Sequence, residues 1–133
     1  MYIWGTANPV GEDEASGNTA YFSQQELDEI IRSNSFVGVP VKIEHKGGEV
    51  GRVISAWQHA GRLDCLIEVD PASNVDAALG VSFVSQNVCK DLSLGYSMQM
   101  SSSGAVAGSK RIQEVSLVRR GARDNCHIRA FIL

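Results

Sequence analysis

Ser93 and His45 are the two side chains best able to do chemistry together. Around the first, Leu92, Leu94, Tyr96, Met98 and Met100 alternate with Ser93, Gly95, Ser97 and Gln99, the period of a half-buried strand. The large apolar side chains fall on one face and the small ones on the other. Ser93 then opens an uncrowded face, with Gly95 beside it leaving space for a bound backbone. A strand serine taken alone is ordinarily a surface residue. As a nucleophile it requires a base, an orienting group and an oxyanion site from elsewhere in the chain. His45 is the best-placed base, because histidine is the side chain whose charge changes near neutral pH. A histidine at a strand end is by default a surface residue too. His59 falls in a turn and faces solvent.

Composition sets the outer limits. The chain has 133 residues, 44% hydrophobic and 20% charged, with a formal net charge of −3. That is the size of one domain, 1–133, with a single core. There is no basic run, so nucleic acid is not a favoured partner. No apolar stretch reaches the length of a membrane span, so no membrane partner is expected. The start, Met1-Tyr2-Ile3-Trp4-Gly5, lacks a signal-peptide pattern. Cys65, Cys89 and Cys126 are odd in number and form no CxxC pair, which argues against a disulfide framework or a zinc site and for reduced cysteines in an intracellular setting.

The elements that must position these residues follow in order. Residues 2–7 read as a strand, and 8–19 as a loop whose acidic run Glu12-Asp13-Glu14 is a solvated tip. Residues 23–34 carry the clearest helix signals: Ser23 and Glu26 form a capping box, Phe22 and Leu27 a hydrophobic staple, and Leu27, Ile30 and Ile31 an apolar stripe. Residues 39–45 read as a strand closed by His45, before a flexible Lys46-Gly47-Gly48 turn. Residues 50–57 and 62–69 form a hairpin, with Cys65 on its apolar parity. Residues 73–88 read as a helix capped by Ser73 or Asn74, with Val75, Ala78, Leu79, Ser82 and Phe83 as its buried stripe. The strand 92–100 follows, and then a small-residue loop over 101–109. Residues 111–118 form a strand with Val115 and Leu117 on one face and Ile112, Glu114, Ser116 and Val118 on the other. Arg119-Arg120-Gly121-Ala122-Arg123-Asp124-Asn125 is a basic turn, and 126–133 is the last strand. Asp91 reads as a turn residue. Seven short strands and two helices without βαβ alternation predict a mostly β, α+β chain: a closed or nearly closed, mainly antiparallel barrel or sandwich with flanking helices.

Several motifs, in order, resemble a known family. Pro40-Val41-Lys42-Ile43-Glu44-His45, followed by Glu49-Val50-Gly51-Arg52-Val53, is similar to the segment carrying the first catalytic histidine of herpesvirus capsid maturation proteases, the assemblins. Ser93-Leu94-Gly95-Tyr96 resembles the nucleophile motif of tailed-phage prohead proteases, and Leu92-Ser93-Leu94 also matches the assemblins. Glu114-Val115-Ser116-Leu117-Val118, then Gly121-Ala122-Arg123, resembles the third-member strand and oxyanion loop. Tyr2-Ile3-Trp4-Gly5 and the helix from Phe22 to Ile31 fit the assemblin start. The resemblance implies a β-barrel of the herpesvirus-protease type and a viral serine endopeptidase. Ser93 would be the nucleophile, His45 the general base and Glu114 the third member, where assemblins have histidine and phage proteases an acid. Ala122 would present an oxyanion-hole N–H, on a loop given its freedom by Gly121, and Arg123 would position an oxyanion-stabilising water. His127 is the competing third member. The substrates would be scaffold and capsid precursors, and possibly the chain itself, inside an immature capsid in the host nucleus or the bacterial cytoplasm. No metal or organic cofactor is implied.

Assemblins continue into C-terminal helices, one of which builds their dimer interface, whereas this sequence stops at Phe131-Ile132-Leu133. The resemblance therefore leaves open a homodimer through another surface such as 73–88, a different oligomer, a monomer in a crowded shell, or a portion of a longer protease–scaffold precursor. Two further readings compete. A catalytically silent barrel acting as an assembly scaffold would hold His45 and Ser93 too far apart to couple. A cysteine hydrolase using Cys126 or Cys89 is the weaker, because Cys126 and His127 are strand neighbours pointing to opposite faces.

Overall fold

Strand alternation sets the sheet on which the site is built. In a computed structural model, residues 1–8, 22–100, 106–122 and 125–133 are described, with backbone alone for 98–100 and 106–110. Along the chain these form β1 (Tyr2–Asn8), α1 (Gln24–Ser33), β2 (Pro40–Ile43), β3 (Lys46–His59), β4 (Arg62–Glu68), α2 (Val75–Ser85), β5 (Asp91–Met100), β6 (Val106–Val118) and β7 (Ile128–Ile132). The seven strands make one sheet in the order β5-β6-β2-β3-β4-β1-β7. Neighbours are antiparallel except β2 and β6, which run parallel. The sheet curls until its edges meet at one end, where Asp91 bridges His127. There the Leu92 N–H donates to the Cys126 carbonyl at 2.7 Å, and the Ile128 N–H to the Lys90 carbonyl at 2.8 Å. This is the seven-stranded, barrel-like sheet with two helices that the strand count predicts.

The core lies inside the curl. Leu63, Cys65 and Ile67 of β4 are fully buried, as their alternation requires, and Leu92, Val115 and Leu117 meet them from β5 and β6. Helix α1 begins where its signals place it. The Ser23 hydroxyl accepts from the Glu26 N–H, and the Glu26 carboxylate accepts from the Ser23 N–H, both at 3.1 Å. Phe22 and Leu27 are both buried beside it. Asn34, at φ 56°, closes it in the left-handed conformation.

Helix α2 departs from expectation. Asn74 caps it, accepting from the Ala77 N–H at 2.8 Å, but Val75 is 77% exposed and Leu79 is 44% exposed. The buried face is Ala77, Gly80 and Val84. The helix rests on Ile43, Val50 and Leu117, whose side chains lie 3.5–3.8 Å from where a Cβ on Gly80 would stand, and small residues let it approach the sheet. Two stripes at helical spacing were available, and close packing selected the smaller one.

Strand boundaries also move, and β3 takes in Lys46-Gly47-Gly48, read as a turn. Residues 106–109, read as loop, extend β6, because the ladder with β5 reaches the Met100–Val106 pair. The rest of that loop, 101–105, and the acidic run Glu12-Asp13-Glu14 lie outside the described residues. Strand β2 ends at Ile43 rather than at His45.

Candidate active site

That last boundary shapes the site. Ile43 pairs with Lys46, so Glu44 and His45 are the two central residues of a tight β2–β3 turn. Their φ values are 50° and 59°. Two positive-φ centres are the geometry of a hairpin turn that normally takes Asn-Gly, and each non-glycine residue there costs roughly 1–3 kcal/mol. Contacts with β6 and the residue after it offset the strain. The Glu44 N–H donates to the Leu117 carbonyl at 3.1 Å. The His45 N–H donates to the Ser116 hydroxyl at 2.9 Å. The Glu44 carboxylate accepts from the Arg119 N–H at 2.8 Å. The imidazole is thus carried on a strained turn tied down along one edge.

Strand register supplies the rest. On the β5–β6 ladder Ser93 stands opposite Ser116 and Gly95 opposite Glu114. All four therefore share one face, and the parallel β2 on the other side of β6 brings His45 over them. His45 Nε2 lies 3.0 Å from Ser93 Oγ. His45 Nδ1 is hydrogen-bonded to Glu114 Oε1. The other carboxylate oxygen accepts from the Ser116 hydroxyl at 2.7 Å. Ser116 thereby uses its hydroxyl as donor and acceptor, joining the backbone under His45 to the carboxylate beside it. With Glu114 an acceptor, the Nδ1 proton is held on its side of the ring, and Nε2 presents its lone pair to the serine hydroxyl. The side chain of Glu114 is 13% exposed and the imidazole 44%, so the carboxylate is shielded while the ring stays reachable. Such an array can take a proton from Ser93 and hold the charge that results. Ser116 is the residue that strand parity placed on Glu114's face without assigning it work.

Gly95 has another role than the one its position suggested. A Cβ at residue 95 would lie 2.1 Å from Glu114 Oε1 and 2.7 Å from its carboxyl carbon. The space over Gly95 is filled by Glu114 rather than left for a ligand backbone. A methyl group there must push the carboxylate away from His45. Gly95→Ala is expected to lower the reactivity of Ser93 about 100-fold while the chain stays folded, because a displaced flexible side chain is cheaper than a broken ladder. Labelling rate measured beside thermal melting checks this.

The turn after β6 is anchored to β5. Asp91 is not a turn residue; it opens β5, and its carboxylate accepts from the Gly121 N–H at 2.8 Å. Its other oxygen lies 2.8 Å from His127 Nδ1. His127 is therefore engaged by Asp91, while the Nδ1 of His45 is occupied by Glu114. Ala122 stands exposed one residue beyond the anchor, and Arg123 lies outside the described residues. Cys89 and Cys126 are buried, and burial pushes the Cys89 thiol up, away from the thiolate a cysteine nucleophile needs. The Cys126 Sγ donates to the Ala7 carbonyl at 3.6 Å.

The curled mixed sheet with two helices has the herpesvirus protease fold. Similar solved structures include several of Kaposi's sarcoma herpesvirus protease. One, in complex with an allosteric inhibitor, matches with a TM-score of 0.59 and 17% identity over 96% of this chain and 75% of that one. A second, in complex with a dimer disruptor, has a TM-score of 0.59 and 18% identity over 96% and 73%. A third, in complex with a hexapeptide phosphonate inhibitor, has a TM-score of 0.53 and 17% identity over 92% and 60%. No sequence family model matches this chain, and no curated protein sequence matches it. At such identities the likeness establishes the fold alone. These neighbours are viral proteases and stand on the herpesvirus side of the sequence resemblance; they lend nothing to the phage prohead side.

Proposed function

We propose that this chain is a serine endopeptidase acting on scaffold and capsid precursors, and possibly on itself, during viral capsid or prohead maturation. The observation that carries the reading is the continuous line from Ser93 Oγ to His45 Nε2, and from His45 Nδ1 to Glu114. A serine hydroxyl is a poor nucleophile until a base takes its proton. Ser93 Oγ would attack the scissile carbonyl carbon as His45 Nε2 accepts the hydroxyl proton. The tetrahedral intermediate would collapse, with the same proton passing to the leaving amine, to leave an acyl ester on Ser93. A water activated by the freed imidazole would then attack the ester, release the new carboxylate and restore the hydroxyl. Glu114 would offset the imidazolium charge in both halves. The oxyanion donors, an Ala122 N–H and an Arg123-held water, are assigned from the sequence resemblance. No metal or cofactor takes part in this scheme.

The same reading puts the chain inside the immature capsid, in the host nucleus or the bacterial cytoplasm according to the virus, as one protease domain with a homodimer as one possible assembly. The silent-scaffold alternative calls for an imidazole and hydroxyl more than about 5 Å apart with no water between them. The 3.0 Å separation counts against it.

A fluorophosphonate probe provides the test. The folded chain is expected to form a covalent adduct on the peptide containing Ser93, identified by mass spectrometry, and heat-unfolded chain is expected to form none. No adduct on folded protein would overturn the proposal.

A further inference from the structure

The segment that leaves β6 is held at two alternate amides by two carboxylates, and each carboxylate belongs to the element carrying a reacting side chain. Glu44, immediately before His45, accepts from the Arg119 N–H at 2.8 Å. Asp91, two residues before Ser93 on β5, accepts from the Gly121 N–H at 2.8 Å. Beyond Val118 the backbone has left its ladder, so neither amide is held by a strand neighbour. The Asp91 carboxylate is itself fixed. Its second oxygen pairs with His127 Nδ1, and the flanking backbone is pinned by the Lys90 N–H on the Val118 carbonyl at 3.1 Å and by the Leu92 N–H on the Cys126 carbonyl. Its side chain is 14% exposed, so water competes little for it.

From this geometry we infer that Glu44 and Asp91 are positioning residues that clamp the Arg119–Gly121 segment, and with it the Ala122 N–H, in a set place relative to His45 and Ser93. The inference rests on the protease reading and adds to it two residues that touch no reacting atom. The physical reason is preorganisation. An oxyanion donor is effective only if it already sits where the negative charge will form. A short exposed turn has no ladder to hold it there. Hydrogen bonds from N–H groups to ionised carboxylates are about twice as strong as neutral ones, and so are suited to fixing a turn at single points. The clamp also makes the three parts move together. The base turn is tied to one end of the segment and the nucleophile strand to the other. A shift of either strand would therefore carry the segment with it and keep their separation.

The test uses the full chain and the rate of fluorophosphonate labelling at Ser93, measured as a function of pH. For Asp91→Ala the plateau rate is expected to fall about 30-fold, the scale of a donor moved by part of an ångström. The pH midpoint should stay where it is, because His45 and Glu114 are untouched. Asp91→Asn keeps an oxygen for the Gly121 N–H, a weaker acceptor in the same place, and should recover to within about 5-fold of the parent. Glu44 is exposed and its truncation leaves the core alone. Glu44→Ala should cost about 10-fold and Glu44→Gln should restore most of it, by the same reasoning. This second pair decides the matter if Asp91→Ala fails to fold. Labelling of the alanine variants at the parent rate, or a shifted midpoint, or no recovery in the amide variants, would overturn the clamp while leaving the protease reading intact. Absence of labelling in the parent chain would bring down the protease reading and the clamp with it.

Discussion

Ser93→Ala is expected to lower peptide-bond cleavage by at least about 10⁴-fold, the scale seen when the nucleophile of a serine hydrolase is removed. The structure makes this a clean experiment. The Ser93 hydroxyl has His45 Nε2 as its side-chain partner, and the residue is 8% exposed on a strand whose apolar face is packed by Leu92. Losing the hydroxyl opens no cavity of consequence, so the melting temperature should hardly move. Activity and stability then separate, and a loss of cleavage cannot be put down to unfolding. The opposite serine on the ladder, Ser116, gives the experiment its discrimination. The two face each other across β5 and β6, and only one of them reaches Nε2. Cleavage of a co-expressed scaffold precursor, followed by mass spectrometry of the products, measures the effect. The double change Ser93→Ala with His45→Ala should be no worse than the single one, because the residues act as one unit. Persistence of cleavage in Ser93→Ala would end the serine-protease reading.

The second large effect is expected for Glu114→Gln, at about 10³- to 10⁴-fold, as follows when a triad carboxylate is replaced by its amide. The shapes are nearly identical, and the amide oxygen can still accept from the Ser116 hydroxyl. The amide nitrogen, however, is a donor. Facing His45, it favours the tautomer with a bare Nδ1 and a proton on Nε2, which turns the wrong face of the ring to Ser93. The loss should therefore lie in turnover, with substrate affinity kept, and should be smaller than for Ser93→Ala. Comparison of kcat and KM across parent, Glu114→Gln and Glu114→Ala checks it. Unchanged turnover would remove Glu114 from the mechanism and leave a serine–histidine pair working alone, since the His127 imidazole is engaged by Asp91.

Local signals carried a large part of the architecture. The alternation of Leu63, Cys65 and Ile67, the capping box at Ser23 and Glu26, and the period of Leu92, Leu94 and Tyr96 are properties of neighbours along the chain. They placed seven strands and two helices near their observed positions. The candidate array was legible in a different way. His45, Ser93 and Glu114 were picked out by the order of motifs that resemble a family, and nothing in their own surroundings distinguishes them from surface residues.

Other features depended on what the chain meets in space. Helix α2 turned Ala77 and Gly80 inward because the sheet beneath it demanded a close approach, which no helical periodicity can announce. Gly95 proved to be the clearance for a side chain on the neighbouring strand. Ser116, already facing Glu114 along its own strand, acquired the His45 N–H as a second partner because β2 runs parallel to β6 and delivers His45 beside it. Asp91 and Glu44 found amides 30 and 75 positions away. By itself, then, the sequence determined the elements and the faces of the strands and of α1, because those follow from short-range periodicity, and the order of its motifs marked the residues with suitable chemistry. The tertiary structure alone decided strand order, register and the strained turn at Glu44-His45, because these depend on long-range pairing. A shift of one residue in that pairing would have carried Glu114 to the opposite face, away from His45.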